Sequence, residues 1–129
     1  FMDADFFLFR KAEAYLTYAE AQARRGGGTA TGDDANAINA LRKRANAATK
    51  DSYTLNEICD EWCREFYYEG RRRMDLIRFG KYGGSSDYTW QWKGGSYAGR
   101  NFEAYKNLFA IPTTDLTANP NLVQNEGYK

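Results

Sequence analysis

Glu57, Glu61, Glu65 and Glu69 recur at every fourth position, so on a helix they share one stripe, and Asp75 follows them. Paired carboxylates are what a glycoside hydrolase uses, one as general acid and one as base or nucleophile, with their separation deciding the stereochemical course. Here, however, Arg64, Arg71, Arg72, Arg73 and Arg78 are interleaved with the acids. A guanidinium beside a carboxylate keeps it ionised, which is the wrong direction for a general acid. The chain also contains no histidine. That removes the commonest general base and excludes Ser and Cys triads that depend on one. The charges of residues 61–80 are therefore read as a structural ion network of Glu65, Glu69, Arg72, Asp75 and Arg78. It is expected to fix how one helix, a reversal at Gly70 and a short following helix pack, and no catalytic residue is expected.

A second chemistry lies in residues 81–106, where glycines and serines alternate with Tyr82, Tyr88, Trp90, Trp92, Tyr97, Phe102 and Tyr105 without a helical period. Sugar rings need flat apolar faces plus planar hydrogen-bonding groups, and Tyr88, Trp90, Trp92, Tyr97, Arg100 and Asn101 supply both. The alternative is that these rings fold down to seal the helices or pack on a missing amino-terminal half. A loop of this length is functional or anchored elsewhere. Asn119, Asn121, Gln124 and Asn125 offer further amides, but Asn beside Pro usually satisfies its own turn, so these are read as structural.

Four helices are expected to carry these groups. Over residues 4–25, Leu8, Ala12, Tyr15, Leu16, Ala19 and Ala23 repeat at helical spacing before the stop at Gly26, Gly27 and Gly28. Asp33 or Asp34 is expected to cap a second helix reaching Ala47, with Ala35, Ile38, Leu41 and Ala45 inward. These two form an antiparallel pair. A third begins at Thr54 with a Thr54/Glu57 capping box and an apolar face of Leu55, Ile58, Cys59, Trp62 and Phe66. A short fourth helix spans residues 73–79 and closes at Gly80. Beyond the aromatic loop, residues 108–111 read as extended, and Thr113 or Thr114 caps a single turn ending at Asn119 and Pro120.

At 129 residues and a net charge of +1, the chain amounts to one domain and lacks the basic field of a nucleic-acid protein. Its arginine run, Arg71, Arg72 and Arg73, is flanked by Glu69 and Asp75. No apolar run approaches the roughly 20 residues of a membrane span. Cys59 and Cys63 are read as free thiols, since four residues along a helix a disulfide is strained, and two sulfurs without a second pair make a poor zinc site. No metal or cofactor is expected.

Four blocks in order give the chain a family resemblance. Residues 10–26 carry an Ala19-Glu20-Ala21 helix core, and residues 37–45 carry Asn39, Arg42, Arg44 and Ala45. The acidic and basic stretch carries Arg64, Glu65, Glu69, Gly70, Arg72, Asp75, Leu76, Arg78 and Gly80. The final block has Ile111, Pro112, Asn119, Pro120, Asn121, Gln124, Asn125, Gly127 and Tyr128. Together they resemble the carboxy-terminal part of the SusD/RagB family of outer-membrane nutrient-binding lipoproteins. Ala110 and Glu126 stand where that family usually has proline.

The resemblance implies a mostly α fold of tetratricopeptide-like antiparallel helix pairs with a long aromatic loop and an irregular carboxy-terminal segment. It makes residues 1–129 a single helical domain, a fragment of a longer chain. It further implies a non-enzymatic protein on the outward face of the outer membrane, held there by a lipid anchor outside this chain. Neither Cys59 nor Cys63 is the lipid-carrying cysteine. Such a protein captures oligosaccharides, or peptides in some members, for a TonB-dependent transporter barrel. A helical scaffold for protein partners is the alternative of a different class.

Overall fold

In a computed structural model of the chain, described for residues 5, 7–84 and 88–128, helices dominate. The chain divides into two compact units, Phe1–Arg72 and Arg73–Lys129.

The first unit holds α1 (Lys11–Arg25), β1 (Thr29–Thr31), α2 (Asp33–Arg44), β2 (Ser52–Thr54) and α3 (Leu55–Glu65). The small residues foreseen on the inner face of α1, Ala12, Ala19 and Ala23, are buried with Leu16, and α2 contributes Ala35, Ile38 and Leu41. Ile58, Cys59, Trp62 and Phe66 complete the core from α3 and the residue that ends it. Fully burying each large apolar side chain contributes roughly 1.5–3 kcal/mol. Glu20 and Asn39 enter this core with partners. Glu20, the acid of the Ala-Glu-Ala block, accepts from Trp62 Nε1 at 2.8 Å. Asn39 donates to the Lys50 carbonyl at 2.8 Å and accepts from Tyr53 Oη at 2.6 Å, tying the approach to β2 onto α2.

The two strands, each of three residues, had no counterpart in the sequence reading. They pair antiparallel, Thr29 with Thr54, Ala30 with Tyr53 and Thr31 with Ser52, and Ala30 and Tyr53 turn inward. Runs this short show no period long enough to register. Strand β2 ends at Thr54, which opens α3 as foreseen: Glu57 N–H donates to Thr54 Oγ1 at 3.3 Å, and Thr54 N–H donates to the Glu57 carboxylate at 2.8 Å.

Four ends among the first three helices differ from expectation. The reading from residue 4 begins outside the described residues, and α1 itself starts only at Lys11, because Arg10 is extended (φ −146°, ψ 157°) and Leu8 is exposed. Gly32, not Asp33 or Asp34, occupies the cap position of α2; both aspartates lie in its first turn, where their charge suits the helix dipole. That helix stops at Arg44, since Asn46 takes a left-handed backbone (φ 54°) and Ala45 stays exposed. Finally, α3 ends at Glu65 and not at Gly70. Gly70 does adopt a positive φ of 75°, but Tyr68 has already turned the chain with φ 64°.

Helix α4 (Arg72–Arg78) begins with the last residue of the first unit and otherwise belongs to the second. The second unit is built on loops. Gly83 and Phe102 meet in a parallel bridge, with Gly84 N–H donating to the Phe102 carbonyl at 2.9 Å, so the ends of the aromatic stretch are tied together. The last helix, α5, spans Thr113–Ala118 with Pro112 at its cap and no side-chain cap from either threonine. After it, Gln124 copies a strand partner: its amide donates to the Ile111 carbonyl and its oxygen accepts from Ile111 N–H, both at 2.9 Å. Asn125 donates to the Phe109 carbonyl at 2.7 Å, and Tyr128 Oη donates to the Leu108 carbonyl at 2.9 Å. Asn119 Oδ1 accepts from Asn121 N–H at 3.1 Å, the self-satisfied turn expected beside Pro120.

Candidate functional site

The carboxylates come first, because their surroundings decide whether they can do acid–base work. Glu65 accepts from Arg10 and from Arg44 Nη2 at 2.6 Å. Burial pushes its carboxyl up, yet the hydrogen bonds from Arg44 and Arg10 outweigh that and hold it below the usual range. Glu69 takes two bonds from Arg10, at 2.9 and 2.7 Å. Glu61 is held by Arg42 at 2.7 Å and Arg64 at 2.8 Å. Asp75 is buried and pairs with Arg78 at 3.0 Å. Arg72 donates to the Cys59 carbonyl at 2.9 Å. Glu65, so held, stays ionised and is not poised to give up a proton near neutral pH.

Arg10 is the member of this network that sequence reading missed. Besides its two carboxylates, its Nη2 donates to the Glu65 main-chain carbonyl, and its guanidinium lies 3.9 Å over the Phe66 ring. It therefore satisfies one of the carbonyls that the end of α3 leaves without a helical partner. Burial opposes its charge, but the Glu69 and Glu65 hydrogen bonds raise its pKa further above the usual value. Arg71 pairs with Glu13 at 3.0 Å and lies 4.2 Å over the Trp62 ring.

Two hollows lie in the first unit. One, of about 380 Å³, is lined by Arg42, Lys50, Tyr53, Glu57, Asp60 and Arg64. Its charges largely answer one another, as in Lys50 with Glu57 at 2.6 Å, and its one ring, Tyr53, is buried. The other, of about 480 Å³ and apolar, runs beside Phe9, Arg10, Glu13, Ala14, Thr17 and Tyr18. The first presents no exposed ring, and in the second the exposed rings of Phe9 and Tyr18 stand beside Arg10 and Glu13, whose charges are already paired with Glu65, Glu69 and Arg71, so neither joins exposed rings to an uncommitted planar polar group.

The aromatic stretch of the second unit does. Trp90, Trp92 and Tyr97 are 43%, 65% and 64% exposed. Trp92 and Tyr97 meet edge to face with centroids 5.6 Å apart, and Gln91 Nε2 donates to Tyr97 Oη at 3.3 Å. Tyr88, half-buried, lies 5.9 Å from Trp90 and under the Lys81 ammonium at 4.5 Å. Arg100 is exposed, and its N–H donates to the Lys93 carbonyl at 2.9 Å. Asn101 is exposed as a residue but commits Oδ1 to the Lys93 ammonium at 3.1 Å. The six sequence-chosen residues thus occur in one short stretch, four offering rings and two offering planar polar groups. Gly99 makes the reversal possible: its φ is 76°, and a β-carbon there would stand 2.3 Å from the Trp90 carbonyl oxygen.

This combination of helix pairs with an aromatic loop matches known proteins. The model of the SusD family matches residues 2–128. The chain belongs to the SusD family. Over 128 residues it is 54% identical to the starch-binding protein SusD of Bacteroides thetaiotaomicron, covering 98% of this chain and 22% of that protein. Among solved structures, a SusD superfamily protein from Parabacteroides distasonis superposes with a TM-score of 0.72 at 26% identity, over 95% of this chain and 27% of the other. A surface glycan-binding protein A from Bacteroides uniformis gives 0.72 at 30% identity, over 93% of this chain and 27% of the other. The chain therefore spans between a fifth and a third of the length of these SusD-family relatives. The mostly α, tetratricopeptide-like pairing of α1 with α2 is the SusD-family architecture, and these relatives are named as binding proteins where a role is named at all. Among the described residues, no helix is long and apolar enough to cross a membrane, and no cluster of three metal-ligating side chains occurs.

Proposed function

We propose that this chain is part of a non-enzymatic protein that captures oligosaccharides at the outer surface of the cell and delivers them to a TonB-dependent transporter barrel. The protein is held to the outer membrane by a lipid anchor outside the residues considered. Tyr88, Trp90, Trp92, Tyr97, Arg100 and Asn101 form its ligand surface within this chain. One observation supports this reading above the others: three large rings stay exposed on a hydrogen-bonded frame, in a chain 54% identical to a protein named for binding starch. Exposed rings held in place offer contact area at little entropic cost, which suits stacking on the apolar face of a pyranose. The arginine-held carboxylates argue against glycoside hydrolysis.

Calorimetric titration with a linear α-glucan heptasaccharide tests the surface. Replacing Trp90 and Trp92 together by Ala is expected to lower affinity at least tenfold while the far-ultraviolet circular dichroism stays native. Unchanged affinity in a folded double variant would reject the surface. Release of shorter sugars from the heptasaccharide would reject the non-enzymatic reading.

A further inference from the structure

Lys93 stands in the middle of the aromatic stretch, on a three-residue 3-10 turn, and is almost completely buried at 1% exposure. Its ammonium donates to the Tyr88 carbonyl at 2.7 Å and to Asn101 Oδ1 at 3.1 Å, and reaches the Lys81 carbonyl at 3.4 Å. It lies 4.9 Å from the Trp90 ring centroid and 5.5 Å from that of Phe102. Among the described residues, no carboxylate forms an ion pair with it.

Burying a cation against neutral oxygens is costly, and a methionine of similar length would fill the same space without that cost. Burial accordingly depresses the Lys93 pKa. The main chain around it is closely tied as well: Lys93 N–H donates to the Trp90 carbonyl at 3.1 Å, and its carbonyl accepts from Arg100 N–H at 2.9 Å. Residues 81, 88, 90 and 101 thus converge on the Lys93 side chain, and residues 90 and 100 on its main chain.

We infer that Lys93 is the positioning residue of the sugar-binding surface: its buried ammonium gathers Lys81, Tyr88 and Asn101 around one centre and so sets the exposed Trp90 ring on which a pyranose stacks. The inference rests on the ligand surface proposed above. It also assigns Asn101 a divided role, with its oxygen bound to Lys93 and only its amide N–H groups free to meet a sugar oxygen.

The test compares Lys93→Met with the unsubstituted protein in three measurements: amide hydrogen exchange, near-ultraviolet circular dichroism and titration with the α-glucan heptasaccharide. Exchange across residues 88–102 is expected to accelerate at least tenfold, the tryptophan bands to weaken, and affinity to fall at least tenfold, while exchange in α1, α2 and α3 stays within twofold. Asn101→Leu removes one of the three acceptors and is expected to move all three in the same direction by less; it decides the matter should Lys93→Met not fold. Unaltered exchange and tryptophan bands would overturn the inference even if affinity fell. A loosened stretch with undiminished affinity would overturn it as well. If the unsubstituted protein binds no glucan, the ligand-surface reading fails and the positioning role with it, whereas the exchange data still report whether Lys93 orders the stretch.

Discussion

Arg10 and Glu69 form a two-point ion pair across 59 residues of sequence, Nε to Oε2 at 2.9 Å and Nη2 to Oε1 at 2.7 Å. The same guanidinium holds the Glu65 carboxylate and the Glu65 carbonyl, so one side chain just before α1 closes the end of α3. Arg10→Met should therefore take both guanidinium bonds from Glu69 and leave Glu65 to Arg44. A loss of about 2–4 kcal/mol is expected in urea unfolding. Arg72→Ala, which removes a donor to the Cys59 carbonyl at 2.9 Å, should cost less, about 1–3 kcal/mol. An Arg10→Met midpoint equal to that of the unsubstituted protein would refute the clasp.

Acid should test the start of α3. Hydrogen bonds from Lys50 first, then from the Thr54 main chain and hydroxyl, lower the Glu57 pKa from 4.5 to about 2. Because the folded value lies below the ordinary one, this contribution is complete above about pH 4.5 and is lost as pH falls towards 2. Glu65, also lowered, acts in the same direction. Glu57→Gln should flatten, without abolishing, the fall in melting temperature over that window. Solvent screening trims the effect, since the Lys50 side chain is 52% exposed, and 1 M salt should trim it further.

Gly99→Ala meets two obstacles, a positive φ of 76° and the Trp90 carbonyl 2.3 Å from the new β-carbon. The left-handed backbone alone costs roughly 1–2 kcal/mol with a side chain present. Faster amide exchange confined to the aromatic stretch is expected, with weaker glucan binding. Normal exchange there would contradict the close approach.

Trp92 offers the opposite trade. It holds φ 67° while 65% exposed, so its ring returns little to the fold for a backbone that Asn tolerates better. Trp92→Asn should preserve stability or raise it by up to about 1 kcal/mol, read in urea unfolding, while lowering glucan affinity. A variant that loses stability and keeps affinity would move Trp92 from the ligand surface to the fold.

Much of this was legible in residue spacing. The inner faces of α1, α2 and α3 followed from apolar repeats, and the Thr54/Glu57 box announced α3, because each rests on contacts three or four residues apart. The arginine-rich stretch was expected to be ionic, but the partner that Glu65 and Glu69 share is Arg10, which no local spacing points to. Strands β1 and β2 escaped for a similar reason: three residues carry no period, and their pairing joins Thr29 to Thr54.

The aromatic stretch divides the same way. Its composition by itself nominated the rings and the polar groups beside them. Which rings stay exposed, that Asn101 turns its oxygen to Lys93, and that a lysine lies at the centre were decided by tertiary structure. The sequence alone determined the helix faces, the cap of α3, the absence of histidine chemistry and the family, since all of these are properties of residue identity and short-range order. The ends of α1 and α3 and the frame of the aromatic surface depend on where one guanidinium and one ammonium find oxygen partners, and those partners are brought near only when the chain has folded.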